Sequence, residues 1–589
     1  MSSDSGRNLA AMFFAQAKRL GDKPFLWTKR DGRYQPISWR AAAAEAAALA
    51  RGLRGLGIQP GDHVGLISES RPEWVIADFG IMAAGAATVP SFTTNTVEDH
   101  RHVLADSGAK AVIVSTSALA HRVMPAADQI ADIKNIICIE EPVGGQLSHA
   151  EIHLWSEVTS RGAQEGGPDL VFGGEDSIAC LIYTSGTGGV PKGVMLSHGN
   201  ILSNCQGIAH VLEDFGLGDE VFLSFLPLSH SYEHTGGLMF PVSIGAQIYF
   251  AEGADTLAAN MLEARPTIMT AVPRLYEGLH QRLLRGMARE HWAKQALFEM
   301  TLRLGRKKGR NAVERWLDRG LDRLVRDKIR ARFGGRLKGM VSGGAPLNPE
   351  IGQFFVALGV RLLQGYGQTE SGPVLTLNPL SRIRTDTVGV ALDDTELRIA
   401  EDGEILARGP QIMKGYWHDP EATARTLRDG WLHTGDIGEI DADGYLRITD
   451  RKRDFIKNSG GDMISPARVE GYLGLEPEIT QAMVFGDRRP YLVAVIVPDP
   501  EFLKSFARSN GKSRDPAELT EDAELHKAIG AVVTRVNRDL SPIEKIRRFI
   551  IAAEAFTTAN GQMTPTLKIK RHAIRAFYGE RLIALYDGK

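Results

Sequence analysis

Three things are scarce in this chain: cysteine, net charge and long apolar runs. Only Cys138, Cys180 and Cys205 occur in 589 residues. They lack metal-ligand spacing and are too few to frame a disulfide scaffold in so long a chain, which implies a reducing, cytoplasmic compartment. The formal net charge is −2, from 69 Lys and Arg against 71 Asp and Glu. That balance excludes a globally basic polyanion binder. The most apolar stretch, residues 237–250, is too short to cross a bilayer and is interrupted by Pro241 and Gly245. No basic-then-apolar leader and no prenylation signal is expected from the two ends.

What remains is globular in composition, 43% hydrophobic and 24% charged. The length suggests about four structural units. Glycine is the surplus: 63 residues, about a ninth of the chain against a usual value of roughly 7%. Backbone positions that need positive φ or close approach to a ligand explain such a surplus.

Short apolar runs alternate with helical patterns. Residues 64–67 and 111–114 read as buried strands and residues 73–84 and 97–107 as helices, a βαβ signature. Residues 38–56 read as an Ala-rich amphipathic helix capped by Ser38. Further strands are expected at 178–183, 221–225, 247–250, 267–271 and 360–363. From about 387 the pattern turns to short strands and turns, a β-rich subdomain. The fold class is therefore α/β: a large N-terminal unit, 1–450, of helix-covered sheets plus the β-rich part, and a small α+β unit, 451–589.

The strongest local feature is Tyr183-Thr-Ser-Gly-Thr-Gly-Gly-Val-Pro-Lys-Gly193. Glycines let backbone N–H groups converge on an anion. Thr184, Ser185 and Thr187 add hydroxyls, and Lys192 adds a cation. The spacing is not that of a Walker A loop. Four further segments stand in order after it. They are Gln364-Gly-Tyr-Gly-Gln-Thr-Glu370, Trp431-Leu-His-Thr-Gly-Asp436, Asp450-Arg-Lys-Arg-Asp-Phe-Ile-Lys457 with Gly460-Gly461, and Thr564-Pro-Thr-Leu-Lys-Ile-Lys-Arg571. This ordered set resembles the AMP-forming acyl-activating superfamily, which includes acyl-CoA synthetases, luciferases and adenylation domains of peptide synthetases.

The resemblance implies an ATP-dependent enzyme with Mg²⁺ and coenzyme A as co-substrate. It places Thr184, Ser185, Gly186, Thr187, Gly188 and Lys192 on the phosphates, and Gly343, Gly344 and Ala345 beside adenine and the acyl substrate. Gln364, Gly365, Tyr366 and Gly367 line the nucleotide site, Asp436 takes the ribose hydroxyls and Arg451 reaches ribose or phosphate. Thr369, Glu370, His230 and Lys568 are the catalytic candidates, with Glu370 and Thr187 toward the metal. Arg453 is the implied hinge, and Gly460 and Gly461 are implied on the coenzyme A side. Among the cations of the last segment, the family ending selects Lys568 over Lys570.

Leu226-Pro-Leu-Ser-His-Ser-Tyr-Glu233 and Val272-Pro-Arg-Leu-Tyr-Glu277 resemble the long-chain acyl-CoA synthetase branch. The region also lacks the Asp with which peptide-synthetase domains hold an amino group. Two departures stand out. Gly188 replaces a hydroxyl residue, and Asp393-Asp394 stands where the family has a Pro-Gly pair. Three alternatives stay open. They are an acyl-AMP ligase that loads a carrier protein, a ligase for aryl or short-chain acids, and a non-catalytic acyl-adenylate binder. Acceptor and substrate panels separate them.

The charge balance hides an asymmetry. Residues 281–338 hold 18 Lys and Arg against 6 Asp and Glu, so this segment is +12 and the rest of the chain −14. Within it Val313, Trp316, Leu317, Leu321, Leu324, Val325 and Ile329 recur at helical spacing between arginines. One reading is a core-packed helix with a solvated basic face. The other is a basic surface for anionic lipid, which would make the enzyme peripheral on a membrane. No nucleic-acid partner is expected.

Overall fold

A computed structural model describes residues 7–587 apart from 144–147, 165–167, 185–189, 254, 308, 452–455, 461, 514 and 565. Among the described residues, two large sheets form the scaffold. One runs in the strand order 390–391, 374–377, 362–367, 339–342, 268–271, 221–224, 247–250, 24–30, 33–38. The other runs 415–416, 192–197, 178–184, 87–90, 63–67, 111–114, 135–138, 151–154. Each is parallel through its middle and antiparallel toward an end. Continuous Val/Ile/Leu runs suit such strands, because helices cover both faces.

Local chemistry sets the element ends. Ser38 accepts from the Ala41 N–H and opens the helix Trp39–Gly55. Ser197 and Asn200 form a capping box at the start of the helix His198–Val211. The apolar run 237–250 is divided among a π-helical stretch Glu233–Met239, a short helix Phe240–Ile244 and the strand Gln247–Phe250. No described helix is long and apolar enough to cross a membrane.

A five-stranded β-rich sheet follows, built on the hairpin of Trp431–Ile440 and Leu446–Arg451. At its edge, Asp394 adopts φ +57 at the position of the missing Pro-Gly pair. An aspartate tolerates this left-handed turn better than most residues.

The C-terminal part has its own cores. Its sheet joins Ile479–Phe485, Leu492–Pro498 and Ile546–Ile551. Alternate residues serve opposite faces, as the period of two requires. Val484, Ala494 and Ile496 pack toward Val469, Ile529 and Val533. Met483, Val493 and Val495 pack toward Ile574, Tyr578 and Leu582.

The glycine loop joins the antiparallel strands Ile178–Thr184 and Lys192–Ser197, and the next helix begins at His198, capped by Ser197. One expectation needs correction. The apolar set at 313–329 is not one core face. Leu321 and Ile329 are buried, whereas Val313, Trp316 and Leu324 are exposed.

Candidate active site

In parallel α/β sheets, ligands bind beyond the carboxyl ends of the strands. The candidate residues collect there. The strand Ile178–Thr184 ends at Thr184, Gly339–Ser342 leads into Gly343, and Leu362–Gly367 leads toward Thr369. Together with the C-terminal unit these ends wall a cleft of about 2800 Å³.

Thr184 and Lys192 face each other across the hairpin and both line the cleft. The Lys192 ammonium pairs with Asp419 at 2.8 Å and lies 5.3 Å from the Tyr416 ring centre. That pairing holds the Asp419 carboxyl below its usual range. Ser185, Gly186, Thr187 and Gly188 lie outside the described residues. Gly343 sits where a Cβ would stand 3.0 Å from the Tyr232 ring, and Gly344 has φ +79. Ala345 continues this turn along the cleft wall.

The strand Leu362–Gly367 brings Gln364, Gly365, Tyr366 and Gly367 to the same wall. Gln364 donates to the Thr385 carbonyl at 2.6 Å. The Tyr366 hydroxyl donates to buried Asp436 at 2.6 Å. Asp436 is the register partner of Arg451 across the hairpin, which brings those two backbones together. Thr369 shares a 3.0 Å hydroxyl contact with Ser231. Glu370 accepts from the Tyr416 hydroxyl at 2.8 Å.

His230 stands at the cleft wall with Ser231 and Tyr232. Its Nδ1 accepts from the Tyr232 N–H at 3.2 Å, which leaves the proton on Nε2 as a donor. Burial, and secondly the charge of Lys568, push His230 down to about 3, so it is neutral near pH 7. Lys568 lies in a turn closed by mutual bonds with Thr564. Leu567, at φ +60, packs on Leu226, Tyr232 and Val272 of the large unit. Arg571 is held by Glu470 at 2.5 and 2.6 Å. Lys568 is thus the cation of this segment whose field reaches His230.

Gly460 lies in the turn between Ile456–Lys457 and Met463–Ile464, away from the cleft lining. Arg453 and Gly461 fall outside the described residues. Sequence reasoning missed Ser231, Tyr416 and Asp419. Ser231 lay inside a quoted motif, but neither Gly415-Tyr416 nor Asp419 has a spacing that announces a carboxylate or lysine partner.

No group of three or more His, Cys, Asp or Glu able to hold a metal occurs among the described residues. One carboxylate, Glu370, at a cleft wall fits Mg²⁺, which keeps waters and binds through one or two carboxylates plus substrate phosphates.

A second part of the cleft is apolar. Ile208, Leu212, Phe222, Phe240, Ile268 and Val341 line it. Phe222 and Ile268 lie at the amino-terminal ends of their strands, while Val272 and Ser342 lie past or at the carboxyl ends. The cleft therefore extends back along the sheet by about 13 Å over the four residues from 268 to 272. Gly236 of the π-helical stretch forms part of this wall.

Residues 13–417 match a family model described as AMP-binding enzyme, and residues 453–589 one described as AMP-binding enzyme C-terminal domain. The long-chain-fatty-acid–CoA ligase FadD15 of Mycobacterium tuberculosis is 32% identical over 98% of this chain and 97% of its own length. The long chain acyl-CoA synthetase 7, peroxisomal, of Arabidopsis thaliana is 32% identical over 97% of this chain and 84% of its own. The A domain of the carboxylic acid reductase from Segniliparus rugosus, in complex with AMP and a co-purified carboxylic acid, aligns with a TM-score of 0.78 at 24% identity. It covers 100% of this chain and 95% of that one. At that identity the likeness speaks for the fold.

Proposed function

The chain belongs to the AMP-binding enzyme family, and on that premise we propose that it joins a medium- to long-chain fatty acid to coenzyme A through an acyl-AMP intermediate. The observation that carries the chain-length reading is the apolar part of the cleft, lined by Phe222, Phe240 and Ile268. A hydrocarbon tail buried there has no polar wall to satisfy, and each buried CH₂ contributes about 0.8 kcal/mol.

In the first step the carboxylate attacks the α-phosphorus of ATP, forming the mixed anhydride and releasing pyrophosphate. Lys568 supplies positive charge where negative charge builds, and neutral His230 adds an Nε2–H donor without opposing it. Asp436, oriented by the Tyr366 hydroxyl, accepts from the ribose. Thr369 and the turn 343–345 border the α-phosphate and adenine. Glu370, oriented by Tyr416, would hold Mg²⁺ together with Thr187; the ion neutralises phosphate charge when bound. In the second step the thiol of coenzyme A attacks the acyl carbon and AMP leaves. The small unit rotates about the link at Arg453, withdrawing Lys568 and bringing Gly460 and Gly461 toward the thiol path. The enzyme reads as cytoplasmic.

ATP–pyrophosphate exchange with acids from acetate to palmitate tests the reading. Exchange is expected from C8 upward, and none with any acid in the C8 to C18 range would sink it. Lys568→Ala is expected to lower exchange by about 10²-fold or more. It should still convert supplied acyl-AMP and coenzyme A, and loss of both would refute the division between the two steps.

A further inference from the structure

The helix Ala312–Leu321 and the helical turns that follow it turn one stripe inward and a different one outward. Leu321 and Ile329 are buried at 2% and 5% exposure. Val313, Trp316 and Leu324 stand in solvent at 67%, 72% and 55%. Three and four residues apart on a helix are neighbours, so Val313, Trp316, Gly320 and Leu324 form one outward row. Burying Trp316 against the protein would have needed another element over this row, and no described one covers it.

The charges around the row are sorted as well. The nearby carboxylates are occupied from within the segment. Asp318 pairs with Arg310 and Arg326, Asp322 and Asp327 with Arg330, and Glu314 with Lys307. Arg315, Arg319 and Arg323 are exposed, and among the described residues no carboxylate lies within ion-pair distance of them. The carboxylates near the row are thus paired within the segment, and the cations beside it are left facing out.

We propose that this face, with Val313, Trp316 and Leu324 flanked by Arg315, Arg319 and Arg323, docks on an anionic lipid surface. The match is one of chemistry. An interfacial helix places its apolar row among acyl chains, keeps tryptophan at the headgroup level and extends long cationic side chains to phosphates. Nucleic acid would meet cations at the centre and aliphatic residues at the rim, the reverse of this pattern. The remaining chain is −14 against +12 in this segment. An anionic surface therefore attracts this face, repels the others, and so fixes the orientation of approach. A fatty acid partitions into the same surface, which places enzyme and substrate together.

Co-sedimentation of the full chain with phosphatidylglycerol-containing vesicles, against pure phosphatidylcholine vesicles, tests the proposal. Binding is expected on the anionic vesicles, with a blue shift of tryptophan emission that Trp316→Ser removes. Added salt should weaken it. The combined Arg315→Gln, Arg319→Gln and Arg323→Gln variant is expected to lose on the order of a hundredfold in partitioning. Equal binding to both vesicle types, or variants that bind as the parent does, would overturn the proposal. So would concentration-dependent self-association, abolished by Trp316→Ser, in the absence of vesicle binding, because the row would then meet a second copy. Pyrophosphate exchange with soluble octanoate, without vesicles, should be the same for parent and variants. Its absence from the parent would bear on the proposed reaction and leave the docking result to stand.

Discussion

Glu233 is a carboxyl group with no exposed surface, sealed under the cleft wall. The hydroxyls of Ser224 and Thr270 donate to it at 2.7 and 2.8 Å, yet burial outweighs them and pushes it up to about 7. The folded state thus keeps a proton that an unfolded glutamate, near 4.3, has already released. The stabilisation is whole below the unfolded value and is lost as pH rises through the folded one, up to about 4 kcal/mol. Glu233→Gln keeps the shape and one acceptor without the charge. Its melting temperature should exceed the parent's at pH 8 and match it at pH 5; equal melting temperatures at pH 8 would contradict the account. A motif showed where this residue stands, but not that it is buried, because burial is set by the strands Val221–Ser224 and Ile268–Ala271 that flank it. The same holds for Lys568 and Lys570. Their spacing suits a basic strand, and only the fold shows that the field of Lys568 reaches His230.

Among the elements, the π-helical stretch Glu233–Met239 shapes the apolar arm. A Cβ at Gly236 would stand 3.5 Å from Thr270 and 3.6 Å from the Tyr232 ring, ordinary contact for one methyl but not for more. Gly236→Ile should therefore narrow the arm. A loss of about a hundredfold in kcat/KM for a C16 acid is expected, with short acids spared. An unchanged chain-length profile would place the tail elsewhere. The sequence made most of the elements legible. The helices 72–83 and 97–107 and the strands 63–67 and 111–114 fall where apolar periodicity put them. The hairpin Pro24–Arg30 with Arg33–Ser38 escaped, since its exposed face carries Lys, Arg and Gln and breaks the alternation. The π-helical turns left no trace in a run apolar on every side. The set at 313–329 misled for a geometric reason. Positions 313, 316 and 324 and positions 321 and 329 are both helical series, and periodicity alone does not tell the row that packs from the row beside it.

At the scale of the molecule, the helix Pro273–Ala288 is a dock for the C-terminal unit. Arg274 donates to the Thr480 carbonyl at 2.9 Å and Gln281 to the Ile479 carbonyl at 3.2 Å. Arg285 pairs with Asp499 at 2.8 Å. Arg274 and Gln281 take up carbonyls of the edge strand Ile479–Phe485, which its own sheet leaves open. The arrangement faces Lys568 to the cleft, which on the proposed mechanism suits the first step. A Gln281→Ala, Arg285→Ala double variant should lower pyrophosphate exchange about tenfold. Conversion of supplied acyl-AMP should hold or rise, and an equal fall in both would make the contacts merely structural.

The weakness of that dock has a consequence of its own. On the proposed mechanism Lys568 is a tethered reagent, and what would govern its use is an effective molarity fixed by the link and by the fraction of time the dock is occupied. One partly exposed ion pair, one guanidinium-to-carbonyl bond and one neutral amide bond give an occupancy that thermal motion can reverse many times within a turnover. A tighter dock would hasten the anhydride and then hold the lysine in place while the thiol waited. On that mechanism the modest contacts of Arg274, Gln281 and Arg285 are a compromise between two half-reactions that compete for the same space.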